Sequence, residues 1–390
     1  MLRLILSLAL ILFSFVTASA FEPRSGAKTA AKSATATAKP KKVKKKAPPP
    51  GPPAKELFAA VGEPAPLAAR SIGGYTKGCM AGGVPLSLNG PNWQVMRLSR
   101  NRMWGTPRLV DFVERLASDA RALDGWPGLL VGDMSQPRGG PMLNGHTSHQ
   151  IGLDADLWLT PMPDRILTAQ EREDISAVSM LKDPFSVDPK VFTIQQVKLI
   201  KRAASYPQLS RIFVHPAIKK ALCEQASSVG KDRAWLGRVR PWWNHHYHFH
   251  VRLSCPPGAD GCDGQKPVTG DDGCGDELKN WYKMLEKAAI WAAEQNIKPD
   301  TKPAPSKSPM RLADLPKDCA SVLAAGGHKP VAEADMASLP ALLRVKESKE
   351  AGAPLPVLDA AALQALITRD SKGGKGAKAE MSLPDRNPIR

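Results

Sequence analysis

An α+β fold is the class this sequence predicts, as one globular domain between two low-complexity tails. Three observations lead there. Apolar residues make up 43% of the 390 residues, enough for a packed core. Segments of helical period and of period two follow one another without the strand–helix rhythm of a parallel α/β sheet. Residues 21–55 and the chain beyond about 325 are rich in Lys, Ala, Pro and Gly and hold no catalytic pattern.

The elements read in order. Thr106-Pro107 opens a helix with Leu109, Val110, Phe112, Val113 and Leu116 at helical spacing, and Asp124-Gly125 closes it. Gly128 to Gly132 is a buried strand, and residues 134–148 are turns around Gly139-Gly140-Pro141. From Leu153 the chain alternates: Leu153, Ala155, Leu157 and Leu159 on one side, Asp154, Asp156 and Trp158 on the other. Ile194–Ala204 and Ile218–Ala226 read as helices, Arg211–Val214 as a short strand. Phe249 and Val251 alternate with His248 and His250, again as in a strand.

The ends are of another kind. Arg3, an apolar run from Leu4 to Val16 and the small residues Ala18-Ser19-Ala20 predict a signal peptide over residues 1–20, so the protein is expected in the periplasm with no transmembrane segment after cleavage. Residues 21–55 carry ten Lys/Arg and one acid, over half of the chain's net charge of +17. They are expected to be a disordered linker, with weak contact to an anionic surface as its functional reading. Nucleic acid is a poor partner for an exported protein. Residues 56–325 are expected to form the globular domain and 326–390 a low-complexity tail, in which Asp359–Thr368 is the one helical stretch.

The eight histidines are unevenly placed. His146 and His149 fall in Gly145–Asp156, and His245, His246, His248 and His250 fall within six residues. Imidazole nitrogens with a carboxylate are the donor set of a catalytic zinc site. On a strand, His248 and His250 share a face about 7 Å apart. One of Asp154 and Asp156 has the alternative role of orienting a histidine. Neither His-Glu-x-x-His nor Gly-x-Ser-x-Gly occurs, which excludes the helix-borne glutamate base and the serine elbow.

The pattern Ser148-His149-x-x-Gly152-x-Asp154-Ala155-Asp156 with His248-Phe249-His250-Val251 resembles the LAS group of zinc peptidases, named for lysostaphin, D-Ala-D-Ala peptidases and sonic hedgehog. Gly132-Asp133-Met134, Gly139-Gly140, Arg211-Ile212-Phe213-Val214, Val239-Arg240-Pro241-Trp242 and His250-Val251-Arg252-Leu253-x-Cys255-Pro256 are similar to one member family, the penicillin-insensitive murein endopeptidases. The resemblance runs from about Ser71 to Cys319. It implies a small antiparallel sheet with surrounding helices, and Zn2+ held by His149, Asp156 and His250. It implies His248 as general base, His245 as a second essential histidine and His146 at the edge of the site. Asp183 falls at the family's additional metal position, where Ser186 replaces a histidine; His246 is extra and has no assigned role. The implied disulfides are Cys79–Cys319, Cys223–Cys274 and Cys255–Cys262, from fifteen pairings open to six cysteines.

The implied activity is hydrolysis of peptidoglycan cross-links, at the bond between D-alanine and meso-diaminopimelate. The alternatives are a D-Ala-D-Ala carboxypeptidase or dipeptidase of the same group, disfavoured because residues 241–250 hold no acid, and a non-catalytic wall-binding protein with a metal site. Trp242, Trp243 and Tyr247 either line the cleft or belong to the core.

Overall fold

The period-two run at Leu153–Leu159 becomes an inner strand of a seven-stranded mixed sheet. The computed structural model describes residues 51–297 except 269, and residues 308–326. The signal peptide, most of the basic arm and the tail beyond 326, with its Asp359–Thr368 stretch, lie outside the described residues.

In chain order the first half holds α1 (Ala54–Ala59), β1 (Arg70–Gly74), β2 (Lys77–Ala81), β3 (Val84–Pro85), β4 (Asn89–Gly90), β5 (Trp93–Val95), β6 (Trp104–Gly105), α2 (Pro107–Asp124), β7 (Leu129–Val131) and β8 (Asp154–Trp158). The second half holds α3 (Ala169–Asp174), β9 (Leu181–Asp183), β10 (Ser186–Val187), α4 (Ile194–Ser205), β11 (Leu209–Val214), α5 (Pro216–Gln225), β12 (Val239–Pro241), β13 (His248–Leu253), β14 (Cys262–Asp263), α6 (Asp276–Ile297) and α7 (Asp318–Ala324). The large sheet has the order β12-β11-β13-β8-β7-β5-β4. Its centre, β11-β13-β8-β7, is antiparallel; β11/β12 and β5/β7 are parallel pairs.

Local chemistry sets the element ends. Pro107 starts α2, and Gly125 (φ 73°) stops it in a left-handed cap, Trp126 N donating to Ala120 O and Gly125 N to Arg121 O. Thr106 stands at the N-cap but does not cap: its hydroxyl donates to Gly152 O, tying the helix start to the loop before β8. Thr193 and Gln196 form a capping box on α4.

The apolar face of the sheet is covered by α2 and α4. Phe112, Val113, Leu116, Leu199 and Ile200 bury against Ala155, Leu157, Phe249 and Val251 in one cluster. Helical period on one side and period two on the other therefore meet in the main core. The opposite residues of β8 and β13 are polar apart from Trp158, and register pairs them across the two strands: His248 with Trp158, His250 with Asp156, Arg252 with Asp154. This pairing creates the site.

All three disulfides are formed as expected. Cys79–Cys319 ties β2 to α7 inside a second cluster with Phe58, Ile72 and Val322. Cys255–Cys262 joins the exit of β13 to β14, which pairs with β1. Among the described residues, no helix is long and apolar enough to cross a membrane.

Candidate metal centre

Asp156 is the hub. Its carboxylate is buried at the middle of β8, and imidazole nitrogens surround it. His250 Nδ1 lies 3.1 Å, His149 Nε2 3.4 Å and His248 Nε2 3.6 Å from Oδ1; His146 Nδ1 lies 3.5 Å from Oδ2. Donor atoms of His146, His149 and Asp156 all fall within 4.8 Å of one another. His250 approaches the same carboxylate oxygen as His149, and the two ring centroids are 4.6 Å apart. Burial alone would raise the Asp156 carboxyl, but the charges of His248, His149 and His146 outweigh it and hold the group well below the carboxylate range.

These groups crowd together without bonding to one another. Asp156 Oδ1, both nitrogens of His149, Nδ1 of His248 and Nε2 of His250 are buried with no hydrogen-bond partner. So many unpaired buried polar atoms in one place are costly and call for a further species. Imidazoles with a carboxylate, unpaired at close range, fit a divalent cation of borderline softness such as zinc.

Local backbone places each candidate donor. His149 sits at φ 65°, a left-handed conformation that residues with a Cβ seldom adopt. Ser135 Oγ donates to its carbonyl, and its N–H donates to Asp154 Oδ2 at 3.1 Å. Gly152 (φ 71°) then turns the chain into β8; a Cβ there would come within 2.1 Å of Met80 Sδ. Asn244 (φ 60°) and His245 (φ 45°) form a second left-handed pair just before β13.

Asp154 joins the two histidine blocks. Arg252 Nε donates to its Oδ1 at 2.7 Å and Arg252 Nη2 to its Oδ2 at 3.1 Å. His250 Nε2 stands 3.2 Å from Oδ1, close but outside hydrogen-bond geometry. The Arg252 guanidinium is itself stacked 4.2 Å from the Tyr75 ring centroid. One buried carboxylate thus touches the His149 backbone and the His250 ring. Partners that orient metal ligands typically contribute about 10–100-fold in metal affinity. Asp154→Asn is therefore expected to weaken metal binding by about that factor, with all direct donors intact. Titration of the variant with a competing chelator reads this; wild-type affinity would reduce Asp154 to a partner of Arg252.

His248 and His245 differ from the donors. Burial pushes His248 down to about 4, against the opposing charge of Asp156, so its ring is neutral at neutral pH. His245 Nδ1 lies 2.6 Å from Trp243 O, and its ring is 4.9 Å from that of His248. His246 contacts Ser179 Oγ at 3.0 Å through Nδ1. Asp183 is not brought into the cluster's donor group: it is exposed in the β9–β10 hairpin, bonded to Ser186 Oγ and Phe185 N. Trp242 is 41% exposed and edge-on to Phe213, which packs on His250, so it stands at the rim. Trp243 and Tyr247 are only partly exposed, packed on Trp281 and on His248 respectively.

Sequence reasoning gave no role to Asp133. It follows β7, and its Oδ2 receives Arg100, Arg102 and His146 at 2.9–3.0 Å. Burial raises its carboxyl; the His146 hydrogen bond and the charges of His146, Arg102 and Arg100 win and hold it far below its usual range. The one available signal was an acid directly after a buried strand, in a turn that carries no other charge before Arg138.

Residues 71–324 match the family described as penicillin-insensitive murein endopeptidase. The chain is 45% identical over 217 residues to a protein of that name from Haemophilus influenzae, covering 55% of this chain and 74% of the relative. It is 39% identical over 255 residues to one from Klebsiella pneumoniae, covering 65% and 86%. It is 41% identical over 221 residues to one from Escherichia coli, covering 57% and 79%.

Proposed function

The chain belongs to the penicillin-insensitive murein endopeptidase family, and from that premise we propose that it is an exported zinc endopeptidase of the periplasm that hydrolyses peptide cross-links of peptidoglycan, at D-alanyl-meso-diaminopimelyl bonds. The observation that carries the reading is the buried Asp156, its Oδ1 without a hydrogen-bond partner, ringed at 3.1–3.6 Å by nitrogens of four imidazoles.

In this proposal His149, Asp156 and His250 hold the zinc, with His146 at the other oxygen of Asp156 as a further donor. Zinc held by these residues would supply Lewis acidity for the attacking water and the scissile carbonyl. The chain's own residues do the rest. His248, neutral at working pH, takes the proton of the attacking water at Nε2, the nitrogen facing Asp156, and returns it to the leaving amine. His245 lies beside it as the second essential histidine. Asp154 keeps the His250 ring and the His149 backbone in place. Asp183 with His146 would belong to any second metal position; the hairpin bonds of Asp183 give that position no support. The weak anionic contact of residues 21–55 stays part of the proposal and is read by co-sedimentation with sacculi at low and high salt.

Digestion of purified wall followed by muropeptide analysis tests the function. Cross-linked dimers should fall to monomers, a chelator should stop this and zinc should restore it. Release of terminal D-alanine alone would indicate the carboxypeptidase alternative, and no change would leave a wall-binding protein.

A further inference from the structure

Arg100 is attached to the metal centre and yet largely unspent. Its Nη1 donates to Asp133 Oδ2 at 3.0 Å. The same oxygen contacts His146 Nε2 at 3.0 Å, and the other nitrogen of that ring faces Asp156. The guanidinium therefore lies within two hydrogen-bond lengths of the donor cluster. Its neighbour Arg102 is buried and committed, with Nη1 on Asp133 and Nη2 on Asn144 Oδ1. The side chain of Arg100 is 47% exposed, and the contact with Asp133 is its one side-chain hydrogen bond to the described residues.

The backbone under Arg100 is held in an uncommon shape. It ends a short 3-10 turn, Leu98–Arg100, bracketed by Arg97 at φ 58° and Asn101 at φ 50°. Neither is glycine, and such conformations persist only where the surroundings fix them. The Arg97 guanidinium donates to the carbonyls of Arg172, Glu173 and Ile175. Asn101 donates to Gly62 O and accepts from Trp104 Nε1. The charge around the turn is unbalanced as well. Arg97, Arg100 and Arg102 face two carboxylates, Asp133 and Glu173, and Glu173 is taken up by Ser99 N and Oγ. One positive charge is left over, and Arg100 is its exposed bearer.

We propose that Arg100 anchors a free carboxylate of the peptide substrate at the rim of the donor cluster, as a specificity-determining residue. The inference rests on the murein-peptide reading above. In a D-alanyl-meso-diaminopimelyl bond the leaving amine stands on a carbon that carries a free carboxylate, so the scissile bond brings an anion with it. A guanidinium beside the cluster matches that anion in charge and in planar geometry.

The test is a cycle on the zinc-loaded enzyme, with wild type and Arg100→Gln each given a soluble cross-linked muropeptide whose carboxylate at that carbon is free or amidated. Amidation should cost the wild type about fivefold in kcat/KM, through KM, as expected for a partly exposed charge pair at its upper range. Arg100→Gln should lose about as much on the free acid and nothing further on the amide. Equal discrimination by both enzymes, or a loss in kcat with KM intact, overturns the assignment and makes Arg100 a support of Asp133. Calorimetric binding of the free-acid and amidated forms of an uncross-linked muropeptide that keeps this carboxylate reads the same pair without turnover. If the wild type hydrolyses nothing, the murein reading fails; Arg100-dependent loss of binding on amidation would still establish the subsite, and its absence would refute it.

Discussion

Asp156→Ala protein is expected to carry no stoichiometric zinc and to lose at least roughly 10³-fold in kcat/KM, since a Lewis acid contributes several kcal/mol to such a reaction and each 1.36 kcal/mol is tenfold. The size follows from its position. Asp156 is the residue that every donor approaches: His149, His248 and His250 at one oxygen, His146 at the other. Removing any one imidazole leaves the others a carboxylate to share; removing the carboxylate takes away the one anion that all four rings approach. Metal analysis by atomic absorption, alongside turnover of soluble muropeptide, checks it. The fold should survive, because the Asp156 backbone, and not its side chain, bonds to Asp133 and Gly132. Retained zinc in a folded variant would show that the centre is built elsewhere.

His248→Ala should separate chemistry from metal. It is expected to keep its zinc and to lose roughly 10²–10⁴ in kcat, the usual worth of a positioned acid–base group. His248 lies on the same face of β13 as His250, two residues away, yet pairs with Trp158 where His250 pairs with Asp156. That offset leaves it beside the donors at 3.6 Å, the longest approach to the carboxylate. A variant that loses metal together with activity would make His248 a ligand.

Much of this was legible in the sequence because it is local. Pro107 and Gly125 mark the ends of α2 by their own φ preferences, and the apolar spacing between them needs no partner to be read. Alternation places Asp154 and Asp156 on one face of β8, and His248 and His250 on one face of β13, because the side-chain period of a strand is two. The clustering of histidines pointed to a cation site, and the three disulfides follow the resemblance. The N-terminal β1–β2 hairpin and the long α6 had no comparable pattern in the sequence reading, since short strands and uneven amphipathicity carry weak periodic signals.

The sequence by itself therefore determined the elements, the donor types and their faces. Only the tertiary structure decided which donors meet. The register of β8 against β13 sets Asp156 opposite His250 and Asp154 opposite Arg252, residues 98 apart in the latter case. A slip of one residue would have turned every one of these side chains to the apolar face, and nothing within either strand forbids it locally. The burial of Ala155, Leu157, Phe249 and Val251 under α2 and α4 does forbid it, and so fixes the site from the far side of the sheet. Asp133 and Arg100 were hidden for a related reason. They reach the cluster from a turn after β7 and from a left-handed loop, whose positions follow from long-range hydrogen bonds and packing, which no spacing along the chain encodes.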